Sequence, residues 1–91
     1  MTICYQRRED LRLTELGEEG VVLHLGSFEY FSVSETGLVI LQALDQPRTI
    51  EELVAALMNR YEVAEEDARE SVEAFLGHCL EEELLLQSDK D

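Results

Sequence analysis

Histidines and cysteines are the side chains of this chain best suited to bind a metal or act as nucleophiles. His24 and His78 are the only histidines, and neither has a second histidine or a carboxylate set at the spacing of a metal site. We therefore predict that both are solvated. Cys4 and Cys79 are too far apart for a zinc motif and too few for a disulfide framework. We predict two reduced thiols, with Cys79 serving as a small apolar residue on the inner side of a helix.

The serines, glycines and carboxylates also lack the arrangements that catalysis or cofactor binding requires. No serine stands in a glycine elbow, and the five glycines are scattered rather than clustered before a helix. Glu81–Glu83 is typical of a solvated helix face, and Glu62–Asp67 lacks the turn glycine of a calcium loop. We predict no catalytic residue, no metal ligand and no cofactor, and we expect that the chain is not an enzyme.

Composition and charge limit the class of partner. The 91 residues suffice for one domain, and 45% of them are apolar, which is enough for a core. The apolar run Leu38–Leu41 is too short to cross a bilayer, and no secretory signal opens the chain, so a cytoplasmic location is expected. The net charge of −14 repels nucleic-acid phosphates and anionic lipids, so we predict neither as a partner. Neutral or basic partners are expected, although acidity that serves only solubility remains an alternative.

Alternating apolar residues predict three antiparallel strands in the first third of the chain. The first strand is expected around Leu11–Thr14 and the second around Val21–Leu25, with glycine-containing turns between and after them. The third, Phe28–Val33, carries apolar side chains on both faces. We therefore expect contacts on both sides of the third strand.

Helical periodicity replaces strand periodicity after Ser34, which is predicted to cap a first, short helix. Thr49 and Glu52 form a capping box that should begin a second helix. A third helix is predicted over Glu65–Glu82, followed by a brief closing strand near Leu84–Leu86.

This order of elements predicts an α+β, winged-helix-like fold, in which a three-stranded antiparallel sheet is followed by three helices. It is expected to form a single domain of residues 1–91, with flexible ends at 1–10 and 87–91. Winged-helix proteins commonly bind DNA through the last helix, and such binding requires cations that meet phosphates. Here that helix offers Arg69 against a surplus of carboxylates, among them Glu65, Glu66, Asp67, Glu70 and Glu73. The charge therefore argues against a DNA-binding regulator.

Three segments of the sequence resemble the PqqD family. The first is Tyr30–Asp45, which reads YFSVSETGLVILQALD; the second is the threonine-capped helix from Thr49 to Tyr61; the third is Val72–Leu76, which reads VEAFL. The resemblance covers about Leu11–Leu85 and rests on the order and spacing of mostly apolar positions rather than on one diagnostic motif.

Four positions depart from the family's usual residues. They are Ser32 in place of asparagine, Gln46 and Glu83 in place of glycines, and Ser71 in place of aspartate. These departures favour a divergent relative over the cofactor-biosynthesis protein that names the family. The length and the aromatic pair Tyr30 and Phe31 resemble the stand-alone recognition proteins of lasso-peptide systems.

The resemblance implies that the chain is a recognition element for the leader of a ribosomally synthesised, post-translationally modified precursor peptide. A leader would add antiparallel to the third strand, lie in the groove between that strand and the third helix, and be delivered to a leader peptidase or another modifying enzyme. The resemblance places the backbone template at Glu29, Tyr30, Phe31, Ser32 and Val33, and the helix wall at Arg69, Val72, Glu73 and Leu76. Phe31, Val33, Val72 and Leu76 are equally compatible with core positions. A cleft bordered by Glu29, Glu70 and Glu73 would attract a basic leader.

Two other functions stay open as alternatives. An acyl-carrier-like protein would also be small and acidic, but it would need an Asp-Ser-Leu site, which the sequence lacks, and an all-helical fold. An acidic winged-helix adaptor that binds another protein is not separated from leader recognition by the sequence.

Overall fold

The computed structural model describes residues 2–90 and shows an α+β fold, as predicted. The elements in chain order are β1 (Thr2–Arg7), β2 (Leu11–Leu16), β3 (Glu19–His24), β4 (Glu29–Val33), α1 (Glu35–Ala43), α2 (Ile50–Arg60), α3 (Glu65–Glu81) and β5 (Leu85–Lys90).

The predicted three-stranded meander is confirmed as an antiparallel sheet of order β2-β3-β4. Leu16 pairs with Glu19, so only two residues connect β2 to β3. The first of these is Gly17, with φ of 67°, a left-handed conformation that glycine adopts without steric cost. Strand β4 begins at Glu29, one residue later than predicted, because Phe28 also has a positive φ, of 60°.

One face of this sheet packs against α1. Val22 on β3 is fully buried, and Phe31 and Val33 on β4 pack against the same core cluster. A Cβ atom at Gly20 would lie 2.9 Å from a methyl group of Val33 and 3.0 Å from one of Leu38, so the glycine permits close contact between the sheet and α1.

The helix starts follow the predicted caps. The Ser34 hydroxyl accepts a hydrogen bond of 3.1 Å from the amide of Gly37 at the start of α1. At α2 the Thr49 hydroxyl accepts from the Glu52 amide at 3.2 Å, and the Glu52 carboxylate accepts from the Thr49 amide at 2.9 Å. Both caps satisfy amides that lack partners in the first helical turn.

Helix α3 ends at Glu81, one residue earlier than predicted, and the chain turns there through Glu83 at φ of 58°. The amide of Leu84 donates to the carbonyl of Cys79 at 2.9 Å, which closes the helix end. Glycine is the residue best suited to this conformation. The structure thus gives a physical reason for the glycine that the PqqD-like pattern has where this chain has Glu83.

The two chain ends form a second sheet instead of the predicted flexible segments. Strands β1 and β5 pair antiparallel from Thr2 opposite Lys90 to Arg7 opposite Leu85. Tyr5 also bridges to Arg48 before α2, with backbone bonds of 2.8 and 2.9 Å. The pairing joins residues at opposite ends of the sequence, which local residue patterns do not reveal. Residues 1 and 91 lie outside the described residues.

The core lies between the sheets and the three helices. Its fully buried side chains include Leu41, Leu53, Leu57, Val72 and Leu84, so every helix and the residue before β5 contribute to one cluster. Within residues 2–90, no helix has both the length and the apolar composition needed to span a membrane.

Candidate functional site

Strand β4 is an edge strand, since the only strand it pairs with among the described residues is β3. The direction of its backbone groups follows from the amide of Leu25, which donates to the Asp10 carbonyl at 2.7 Å. Residues of an antiparallel strand alternate in the side to which their backbone groups point. Odd-numbered residues of β3 therefore form backbone hydrogen bonds with β2, and even-numbered residues form them with β4. Across the β3–β4 register, Tyr30 and Ser32 then direct their amides and carbonyls to the free edge.

The β4 side chains divide between two surroundings. Phe31 and Val33 are half-buried against the core, whereas Glu29, Tyr30 and Ser32 are exposed. The five residues proposed as a backbone template therefore all lie on a strand with one free edge. Phe31 and Val33 also pack against the core, a position with which the sequence was equally compatible.

A groove of about 440 Å³ continues from the end of β4. Its lining comes from the first half of α1 and its cap, and from one face of α3. The residues are Ser34, Thr36, Gly37 and Ile40 on the first side, and Ser71, Ala74, Phe75 and His78 on the second. Because Ser34 follows Val33 directly, the free strand edge leads into this groove without an intervening loop.

Gly37 and Phe75 set the width of the groove. A Cβ atom at position 37 would lie 2.7 Å from Cε1 of the Phe75 ring and 3.1 Å from its Cζ. The ring therefore rests on the α1 backbone, in a space that only glycine leaves free. The half-buried aromatic side chain forms an apolar wall that is open to solvent on one side.

The four residues predicted for the helix wall, Arg69, Val72, Glu73 and Leu76, divide between the core and the side of α3 away from the groove. Val72 and Leu76 have exposures of 0% and 2%, so they support the groove from within the core and have no surface for a peptide to contact. Arg69 and Glu73 lie on nearly the opposite side of α3 from the groove face, at 100° of rotation per residue. Val72 and Leu76 are buried because the apolar stripe of a helix faces the core rather than a groove beside it.

Arg69 instead joins α3 to α2. Its guanidinium donates two hydrogen bonds to the carboxylate of Glu51, one of them at 3.0 Å, and lies 3.9 Å from Glu65. The hydrogen bond lowers the pKa of Glu51 and raises the pKa of Arg69. Glu51 is exposed and Arg69 is half-buried at the surface, so solvent screens this pair and it has little influence on stability.

The groove face of α3 carried a signal that sequence analysis missed. Ser71, Ala74, Phe75 and His78 are spaced as one helical row beside the apolar stripe, and the row is free of charge at neutral histidine. In a chain with 21 carboxylates, an uncharged row on a surface helix is the feature that marks this face.

The prediction that both histidines are solvated is wrong for His24, which is only 9% exposed. Its Nδ1 accepts hydrogen bonds from the amides of Gly26 at 3.1 Å and Ser27 at 3.3 Å. The ring therefore organises the turn between β3 and β4, because it satisfies two backbone donors there. His78 is exposed and borders the groove.

The two cysteine thiols are buried away from solvent. Cys4 and Cys79 are free and buried, and burial raises the pKa of the Cys79 thiol to about 12. At neutral pH this thiol is protonated and is a poor nucleophile. Within residues 2–90, no three side chains among His, Cys, Asp and Glu are grouped to hold a metal ion.

Comparisons with known proteins identify the family of the chain. The model of the family described as coenzyme PQQ synthesis protein D (PqqD) matches residues 19–85, more than half of the chain, from the start of β3 to the start of β5. No curated protein sequence matches the chain significantly.

Two solved structures share the fold. The structure described as "TbiB1 in Complex with the TbiA(beta) Leader Peptide" is 26% identical, with a TM-score of 0.76, and the alignment covers 94% of this chain and 99% of that one. "Lasso peptide synthetase B1 complexed with the leader peptide" is 23% identical, with a TM-score of 0.73 and coverage of 90% and 96%. The family match, supported by the shared fold, shows that this chain belongs to the PqqD family.

Proposed function

We propose that this protein is a non-catalytic recognition element that binds the leader segment of a ribosomally synthesised precursor peptide. The observation that carries the proposal is the free edge of β4, which leads directly into the groove between α1 and α3. The similarity to TbiB1, a protein solved with a leader peptide, supports the same conclusion.

Strand addition uses the backbone of both partners. Tyr30 and Ser32 offer two amides and two carbonyls to an incoming peptide, and each neutral hydrogen bond of this kind contributes about 1 kcal/mol. Backbone bonds are indifferent to sequence, so selectivity requires side-chain contacts. Alternate residues of the added strand would face the groove, where the Phe75 ring and the backbone of Gly37 form an apolar surface.

The negative charge of the protein makes a second contribution to leader binding. The net charge of −14 creates a field that attracts lysine and arginine, and Glu29 and Glu70 are exposed near the proposed path. Glu73 lies on the far side of α3 and contributes only to the general field. We expect the association rate of a basic leader to fall as salt rises, and a rate independent of salt would contradict this contribution.

We also propose a partner enzyme and a biosynthetic system for the bound leader. The protein would deliver the bound leader to a leader peptidase or another modifying enzyme of a lasso-peptide system. The lasso assignment draws on the Tyr30 and Phe31 pair noted in the sequence, and the fold is shared with a lasso peptide synthetase B1. Both cysteines are buried, so neither thiol is exposed to a bound peptide.

Titration of a fluorescently labelled leader from the neighbouring precursor gene tests the proposal. We expect saturable binding of the leader and no binding of the core segment of the same precursor, followed by fluorescence anisotropy. Equal affinity for both segments, or for neither, would contradict leader recognition. Unlabelled leader serves as a competitor, to exclude binding through the dye.

A further inference from the structure

The solvent-facing side of the three-stranded sheet, called the outer face here, is apolar although nothing in the core requires it. The pairing register places Leu23 between Arg12 and Tyr30 in one row across the sheet, with Val21 in the next row. Leu16 is 62% exposed and Tyr30 is 73% exposed. None of these four apolar side chains belongs to the core cluster or packs against it within residues 2–90.

The outer face also carries no net charge, in contrast to the chain as a whole. By strand alternation, Glu19 is its only carboxylate among the three strands, although the chain has 21, and Arg12 balances it. Exposed aromatic and aliphatic groups on a face without net charge are suited to a protein interface. The carboxylates of Glu18 and Glu19 border the Leu16 end, so a fitting partner has basic groups around its apolar surface.

Phe28 adds a second, independent observation at the end of the same sheet. It is 76% exposed, and its φ of 60° costs about 1–2 kcal/mol for a residue other than glycine. The conformation is held by the amide of Phe28, which donates to the His24 carbonyl at 2.7 Å, and by the turn bonds to the His24 ring. An aromatic residue that is strained and exposed adds little to stability, and such strain is typical of functional positions.

The outer face is continuous with the proposed leader-binding edge. A peptide added to β4 would become a fourth strand, and alternate side chains of that strand would project onto the outer face beside Tyr30 and Ser32. The surface is therefore larger when a leader is bound than when the edge is empty.

We propose that the outer face and Phe28 together dock the enzyme that processes the bound leader, through an apolar contact surface with a basic rim. This inference rests on the proposed function and assigns a surface to the second partner. The partner binds the loaded protein more tightly than the empty one, because it contacts the outward side chains of the leader as well as the sheet. A second copy of this chain fits less well, since each copy carries a charge of −14 and the same acidic border.

The test uses purified full-length protein, a labelled leader and the purified leader peptidase encoded beside it. Leu16→Ser removes an exposed apolar contact, and Phe28→Asn removes the ring with a residue that tolerates the left-handed conformation. Met58→Ser, on α2, is the matched control, because it also removes an exposed apolar side chain. Peptidase binding is measured by biolayer interferometry with and without leader, and leader affinity by anisotropy.

We expect the leader affinity of both variants to stay within about twofold of the wild type, while peptidase affinity falls by about tenfold or more, as for an interface residue worth over 1.4 kcal/mol. Met58→Ser should change neither. Unchanged peptidase binding, or loss of leader binding in both variants, would overturn the proposal. So would a wild-type dimer in sedimentation that these two substitutions convert to monomer, because the face would then bind a second copy. Failure of the wild type to bind leader would refute the proposed function instead, and peptidase binding to leader-free protein would still test the docking surface.

Discussion

Proline substitution at the two edges of the same sheet offers the sharpest test of strand addition. Ser32 directs its amide to the free edge of β4, so Ser32→Pro removes a donor from the proposed peptide site without removing a bond of the β3–β4 ladder. By the same alternation Glu15 directs its amide to the free edge of β2. Glu15→Pro is therefore a matched control, which deletes an edge amide from the same sheet on the side away from the groove.

The magnitude follows from the bonds available. Loss of the hydrogen bond from the Ser32 amide costs about 1 kcal/mol. The proline ring also displaces the leader carbonyl that accepted this bond, which leaves that carbonyl without a donor. We expect leader affinity to fall by about tenfold to a hundredfold for Ser32→Pro, which corresponds to about 1.4–2.8 kcal/mol. Glu15→Pro should leave the affinity within about twofold at constant ionic strength.

Anisotropy titration measures the affinities, and circular dichroism verifies the fold of each variant. Wild-type affinity in a folded Ser32→Pro variant would refute strand addition at β4. Misfolding of Ser32→Pro beside a folded Glu15→Pro would show that the Ser32 amide faces β3, and the assignment of the outward groups would be wrong. N-methylation of successive leader residues gives an independent check, since only every second methyl group should weaken binding.

Substitutions at five single positions give the further predictions. Gly37→Ala should displace the Phe75 ring, lower the stability by about 1–2 kcal/mol and weaken leader binding. Gly77→Ala has open space around the new methyl group, so it should raise the stability by about 0.5–1 kcal/mol in thermal melts. Glu83→Gly should raise the unfolding free energy in urea by about 0.5–1 kcal/mol, because it relieves the left-handed conformation; a lower value would contradict the strain argument. Arg69→Met should leave leader affinity within about twofold, since the residue faces α2, and a tenfold loss would restore it to the peptide site. Burial raises the pKa of the Cys79 thiol from 9.0 to about 12. The stability that this protonated thiol contributes is therefore complete below pH 9 and should be lost as the pH rises toward 12. A Cys79→Ala variant should lack this component in pH-dependent urea melts.

The local structure of this protein could be predicted from the sequence because it depends on neighbouring residues. The Ser34 cap and the Thr49 capping box act within one helical turn, and the spacing of apolar residues in α2 and α3 follows the 3.6-residue period. Alternation over residues 11–16 and 19–24 likewise identifies half-buried strands. The three-stranded sheet followed by three helices was therefore within reach of the sequence.

The site was only partly predictable. The edge strand with Tyr30 and Phe31 followed from the family resemblance. Of the predicted helix wall, Val72 and Leu76 lie in the core, whereas the groove of the folded protein is lined by the uncharged row beside them. A helical period separates the faces of a helix without saying which neighbour each face meets. Val72 and Leu76 are buried because the sheet and the other helices cover them, and that arrangement arises only after packing.

Tertiary structure alone decided the contacts between residues distant in sequence. The pairing of β1 with β5, the bridge from Tyr5 to Arg48 and the contact of Phe75 with Gly37 each join separate elements. No local hydrogen-bonding or apolar pattern encodes such contacts, because their free energy comes from surfaces that meet only in the folded chain. The sequence by itself determined the elements, the acidity and the absence of recognisable catalytic or metal-binding motifs, whereas packing determined which edge stays open and which residues line the groove beside it.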